Sequence, residues 1–135
     1  MSELISYKDY SQSLVSFFKF LKNNKNYNEL FLKSIRIKKN KDLILIPISQ
    51  IHLNDNFIIK KLCDWRNKNS NVFIQNKKTN IKKTRIWMKE NLLDVKDKIL
   101  FLVLKNGKTP IGHIGFSNCL NKKMNFEIDN VIKGE

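Results

Sequence analysis

The sequence predicts an α+β domain with helices packed on a mixed sheet. Three observations carry that expectation. Residues Tyr10, Leu14, Phe17, Phe18 and Leu21 recur at helical spacing, one stripe of an amphipathic helix from about Asp9 to Asn23. The run Leu43 to Ile48, LILIPI, is continuous and rich in β-branched residues, as a strand buried on both faces would be. Beyond residue 98 the apolar period shortens to two, and Asn106-Gly107 is a hairpin turn signal between two such runs. A length of 135 residues, 41% hydrophobic and 10% aromatic, suits one domain with a core of its own and excludes a wholly disordered chain.

The elements follow in order. The first helix ends at the polar breaker NNKNYN, and Leu30 to Ile37 is apolar without a decisive period. KKNKD at 38–42 is read as a linker, which divides a helical extension, 1–40, from a main domain, 41–135. Pro47 limits the LILIPI strand to a strand end or an edge. Asn54 or Asp55 caps a helix whose inward positions are Ile58, Leu62 and Trp65, and Thr79 or Asn80 caps another that reaches Leu93 with Ile81, Met88 and Leu92 inward. Strands are expected at Ile99–Leu104, at Pro110–Phe116, where Gly112 and Gly115 suggest bulging or close backbone approach, and at Met124–Ile132. Strict alternation in the last puts Phe126, Ile128, Asn130 and Ile132 on one face and Glu127, Asp129 and Val131 on the other.

Charge narrows the function classes less than its size suggests. Lys and Arg number 26 against 12 Asp and Glu, giving +14, and the excess is spread as +5 over 1–40, +7 over 41–98 and +2 over 99–135. Yet 23 of those cations are Lys and only 3 are Arg, beside 18 Asn, 17 Ile and no Ala, the signature of an AT-rich coding sequence. A reader of nucleic acid would use more Arg for bidentate contacts. Cys63 and Cys119 are too few and too far apart for a metal site or a disulfide framework. Glu3 and Asp9 stand where a signal peptide carries positive charge, and Leu14–Leu21 is short and broken by Lys19, so the expected setting is cytoplasmic with no membrane partner.

The ordered set of segments resembles the GNAT superfamily of acyl-CoA N-acyltransferases. LIPISQIHLNDN opens a β-α-α-β-β-β order, WRN closes its first helix, FLVLKNGKTPIGHIGF forms its hairpin and NFEIDNVIKGE its next strand. The likeness covers residues 43–135 and is nearest to the bacterial branch that acetylates amino sugars, spermidine or ribosomal-protein N-termini. It implies acetyl-CoA as co-substrate and a small-molecule amine as acceptor, possible examples being an amino sugar or a nucleotide-linked sugar. In that family the fourth strand leads into a Gly-rich loop whose backbone N–H groups hold the CoA pyrophosphate. The sequence stops at Gly134-Glu135, before such a loop, so the resemblance implies an incomplete, truncated domain of doubtful activity alone.

The resemblance also nominates site residues. Glu127 or Asp129 would take a proton from the acceptor ammonium, as a partly buried carboxylate can; the competing reading is a solvated strand face. Trp65, Arg66 and Asn67 would line an acceptor pocket, against Trp65 as core and Arg66 as a helix C-cap. The backbone of Asn130, Val131 and Ile132 would pair with the pantetheine amides as a further strand would. The acid-free run at 75–85, with Lys77, Lys78, Lys82, Lys83 and Arg85, would steer a phosphorylated substrate or nucleic acid, or simply form a solvated helix start. His113 is expected packed, His52 exposed, and Trp87 at core or rim. Two other classes compete with the enzyme: a basic module that binds nucleic acid without chemistry, and an incomplete fold that self-associates through an open sheet edge.

Overall fold

The computed structural model describes residues 6–69 and 78–134. Lys77 and residues 75–76 of the basic run lie outside the described residues. The elements are α1 (Tyr7–Lys22), α2 (Tyr27–Leu32), β1 (Ile35–Arg36), β2 (Leu43–Pro47), a 3-10 turn (Gln50–Asn54), α3 (Asn56–Lys68), α4 (Ile81–Met88) with a π-turn (Lys89–Leu93), β3 (Ile99–Lys105), β4 (Thr109–Ser117) and β5 (Glu127–Lys133). The strands form one sheet in the order β1-β2-β3-β4-β5.

The fold is α+β, and its sheet is antiparallel throughout instead of mixed. The reason lies in the β2-to-β3 connection. It contains two helices, so the chain re-enters the sheet from the end at which it left, and β3 runs opposite to β2. Pro47 ends β2, beyond the two residues paired with β1, and Ile48 donates its N–H to Leu100 O at 2.8 Å. Asn106 (φ 55°) and Gly107 (φ 68°) turn β3 into β4 through the left-handed region those residue types tolerate.

Each sheet face has its own core. On one, Ile46, Ile48, Leu100, Leu102, Leu104 and Ile132 meet Ile58, Ile59, Leu62 and Trp65 of α3, Met88 of α4 and Leu92 of the π-turn. Asp55 is the N-cap of α3, accepting the Ile58 N–H at 3.1 Å, and Asn80 caps α4. The inward stripe of α4 passes through Thr84, Met88 and Leu92, and Ile81 is exposed where it was expected inside. A stripe at four-residue intervals counted back from Met88 meets Thr84 and then the cap, not Ile81.

On the other face α1 lays Leu14, Phe18 and Leu21 against Leu45, Ile99, Phe101, Ile114, Phe116 and Cys119. Burial of Phe18 and Leu21 contributes about 2 kcal/mol each. Phe17, placed on the same stripe by sequence, is 53% exposed, because the contact takes the narrower line through Leu14, Phe18 and Leu21. Polar anchors fix both ends of α1. Tyr10 Oη donates to Cys119 O at 2.6 Å, and buried Lys22 donates Nζ to Leu92 O at 3.0 Å and Val95 O at 2.6 Å. Burial lowers the Lys22 pKa to about 8, with Asp97 and Asp94 opposing the fall. Residues 1–40 are not helical throughout: Ile35–Arg36 is the edge strand β1. Among the described residues no helix is long and apolar enough to cross a membrane.

Candidate functional site

A cleft of about 350 Å³ opens on the α3–α4 side of the sheet. Leu62 and Arg66 of α3, Lys78 and Thr79 before α4, Lys83, Thr84 and Trp87 within it, and His113, Asn130 and Ile132 of the sheet line it. Its charge is one-sided: three cations and no acid among the described lining residues. Lys78 and Lys83 are exposed at the rim, while His113 and Ile132 are buried at the floor.

A bulge in β5 builds that floor. His113 pairs with Ile132, but two residues further along β4 Gly115 pairs with Asp129, so β5 carries one extra residue over this stretch. Asn130, at φ 48°, is in the left-handed conformation that Asn adopts more readily than most residues. The extra residue inverts the alternation beyond it. Ile132 therefore shares a face with His113, and Asp129 with Gly115, two positions from His113 on β4. The expected division, with Asn130 and Ile132 opposite to Glu127 and Asp129, is thus corrected: Asp129 and Ile132 lie on the same face.

Both β4 glycines are explained by the approach of β5. A Cβ on Gly112 would collide with the carbonyl of Ile132, and one on Gly115 would lie 2.6 Å from Asp129 Oδ1. That Oδ1 is buried without a hydrogen-bond partner, as is Nδ1 of His113. The His113 ring is hydrogen-bonded to the Asn130 main chain, and burial holds its pKa down to about 4. The Trp65 indole lies 6.0 Å from the His113 ring and closes the floor from behind.

The nominated residues fall in different places. Arg66 lines the cleft, and burial lowers its pKa. Trp65 is core, packed against Gly134 and His113 and absent from the lining. Asn67 acts on the α3–α4 connection: its Nδ2 donates to Thr79 O at 2.9 Å and its Oδ1 accepts the Thr79 N–H at 2.6 Å. That two-way bridge pins the segment that carries Lys78 and Thr79 to the end of α3. Glu127 is exposed and accepts from Asn118 Nδ2 at 3.2 Å. Val131 is exposed, whereas Asn130 and Ile132 line the cleft. Among the described residues no strand pairs with the outer side of β5.

Sequence reasoning passed over His113, Thr84 and Trp87 as lining residues. Two signals were present: Trp87 lies off the apolar stripe of its helix, and Lys83 stands four positions before it, on the same side. His52, expected exposed, is buried at 1%. The 3-10 turn carries it inward, where Nδ1 accepts the Ser49 N–H at 2.9 Å and Ser49 Oγ accepts from Asn24 Nδ2 at 2.7 Å. Tyr27 donates from above to the Asp55 carboxylate, and burial and that bond raise its pKa. This network ties the α1–α2 connection to β2 and has no part in the cleft. Among the described residues no cluster of three or more His, Cys, Asp or Glu is arranged to hold a metal ion. Searches of family models, curated proteins and solved structures find no match to the chain.

Proposed function

We propose that the cleft is the acceptor pocket of an acyl-CoA-dependent N-acyltransferase, with a small amine as substrate. The observation that carries this reading is the cleft's position: it opens on a bulged strand with no described neighbour on its outer side, and Asp129 of that strand lies on the same sheet face as the cleft floor. Bulges re-aim side chains beside active sites, and a strand edge accepts an extended amide chain by main-chain hydrogen bonds. Acetyl-CoA would supply an acetyl thioester there. The residues fit its pantetheine part, along the outer edge of Asn130, Val131 and Ile132. The described residues include no Gly-rich loop for its pyrophosphate.

The chemistry asks little of the protein beyond position and one proton acceptor. An acceptor ammonium loses a proton to the Asp129 carboxylate, directly or through water. The freed nitrogen lone pair forms the C–N bond at the thioester carbonyl, the C–S bond breaks, and the departing thiolate takes up a proton. Of the two nominated carboxylates, Asp129 is favoured because it shares a face with the cleft floor and its Oδ1 is withdrawn from solvent. Glu127 is exposed and bonded to Asn118.

The test is acetyl transfer from acetyl-CoA to a panel of amines, with Asp129→Asn and Glu127→Gln beside the parent chain. Loss of about a hundredfold in rate for the first and little change for the second is expected, within the usual range for general bases. Equal activity of the Asp129 variant removes its role, and absence of transfer to every amine removes the reading. A nucleic-acid module separates by its salt response: neutralising six or more phosphates, it loses roughly a thousandfold in affinity from 50 to 200 mM salt.

A further inference from the structure

On the sheet face opposite the cleft, the outer side of α1 exposes large apolar side chains beside a concentration of cations. Phe17 and Phe20, three apart and so neighbours on that helix, are 53% and 55% exposed. Lys33, just past α2, binds back to the same end of α1: its Nζ donates to Phe20 O at 2.7 Å and Asn23 O at 3.1 Å and lies 4.0 Å from the centre of the Phe20 ring. That anchor brings the end of α2, with Leu32 at 87% exposure, up to Phe20. Ile35 of β1 is exposed too, and it pairs with Leu45, on which α1 rests, so it points to the same side of the sheet. The surround is cationic. Over residues 13–42 eight Lys and Arg stand against Glu29 and Asp42, and Glu29 is 3.8 Å from Lys33. Lys19, Lys25, Arg36, Lys38, Lys39 and Lys41 are all exposed. Asn106 donates its N–H to Asp42 O at 2.6 Å, which sets the β3–β4 turn, with exposed Lys105 and Lys108, next to the turn from β1 to β2.

We propose that this face docks on an anionic membrane surface, with Phe17, Phe20, Leu32 and Ile35 entering the headgroup region and the surrounding cations meeting lipid phosphates. An apolar centre within a cationic surround is the complement of such a surface, whose headgroups take the charges and whose acyl boundary takes the side chains. Nucleic acid matches the cations alone: a Leu at 87% exposure gains nothing from a phosphate backbone, and one Arg among the six offers little bidentate contact. The expectation of no membrane partner rested on the lack of a spanning segment, and a protein that lies on a lipid surface needs none. The cleft opens on the other sheet face, so docking leaves it uncovered. Docking and acyl transfer use opposite faces and stand or fall separately.

The experiment is co-sedimentation of the full chain, at physiological salt, with vesicles of phosphatidylcholine alone and of phosphatidylcholine mixed equally with phosphatidylglycerol. Binding to the mixed vesicles is expected to be about tenfold or more tighter than to the neutral ones, because several cations act together near the anionic surface. Phe17→Ser/Leu32→Ser and Lys38→Gln/Lys39→Gln/Lys41→Gln should each weaken it about tenfold or more. All five positions are exposed, and Leu32→Ser alone carries the apolar arm if the double variant loses the circular dichroism of the parent. Controls elsewhere on the surface, Phe57→Ser/Ile86→Ser and Lys68→Gln/Lys122→Gln/Lys123→Gln, should bind as the parent does. No association with the mixed vesicles overturns the proposal. An equal loss in the lysine control overturns it too, since diffuse basic charge would then be enough, and so does unchanged binding of the apolar variants, since no side chain would then enter the lipid. Tight binding to duplex DNA with none to vesicles would assign the cations to nucleic acid instead.

Discussion

Acidification should destabilise this domain before its carboxylates titrate, because its histidines are both locked neutral. The chain has 2 His, and each is almost fully buried with a pKa held down to about 4 by desolvation. In the unfolded chain each returns to about 6.5. Between these values the unfolded state binds protons that the folded state refuses, so stability is full above pH 6.5 and is lost as pH falls toward 4. The complete loss is about 3 kcal/mol per histidine, from 1.36 kcal/mol per pKa unit. Moving from pH 7.5 to 5.5 spends about 1.3 kcal/mol at each site, or about 2.7 for the two together. That is a large share of the 5 to 15 kcal/mol typical of a domain. Urea unfolding followed by circular dichroism at pH 7.5, 6.5, 5.5 and 4.5 measures it. His52→Gln and His113→Gln will each lower stability, but the informative quantity is the slope, which each should halve between pH 6.5 and 5. A free energy that stays flat from pH 7.5 to 5.5 would refute the burial of both rings as described.

Three further outcomes follow from packing. Phe18→Ala should cost about 3 to 5 kcal/mol by urea unfolding, as for other buried Phe truncations, and a loss under about 1 kcal/mol would mean that α1 is not seated on the sheet. Gly112→Ala drives a Cβ into the Ile132 carbonyl and should part β4 from β5, read as early amide exchange in β5; unchanged protection there would refute the pairing. Asn67→Ala removes both bonds to Thr79 and should destabilise the chain by about 1 to 2 kcal/mol while lowering ligand affinity at the cleft, and stability equal to the parent would show that the bridge is not formed.

Local patterns determined much of this protein. The helical stripe of α1, a cap at Asn54 or Asp55 and another at Thr79 or Asn80, the limit Pro47 sets on its strand and the Asn106-Gly107 turn were legible because each depends on neighbours within a few residues. Trp65 as core and Gly112 and Gly115 as close-approach positions belong with them. What the chain could not announce was parity and depth. One residue in the left-handed conformation at Asn130 inverts the faces of β5, and nothing in an alternating pattern marks where an extra residue is absorbed. That inversion brings Ile132 to the cleft floor and Asp129 to the same face. The burial of His52 was equally hidden, since a polar residue goes inside only when distant partners meet its hydrogen bonds, and here the acceptor role toward Ser49 depends on how a 3-10 turn packs under α2. The sheet, expected mixed, proved antiparallel, and the cleft itself needed α3, α4 and β5 to converge, since only tertiary packing sets cations, an aromatic wall and a buried histidine around one space.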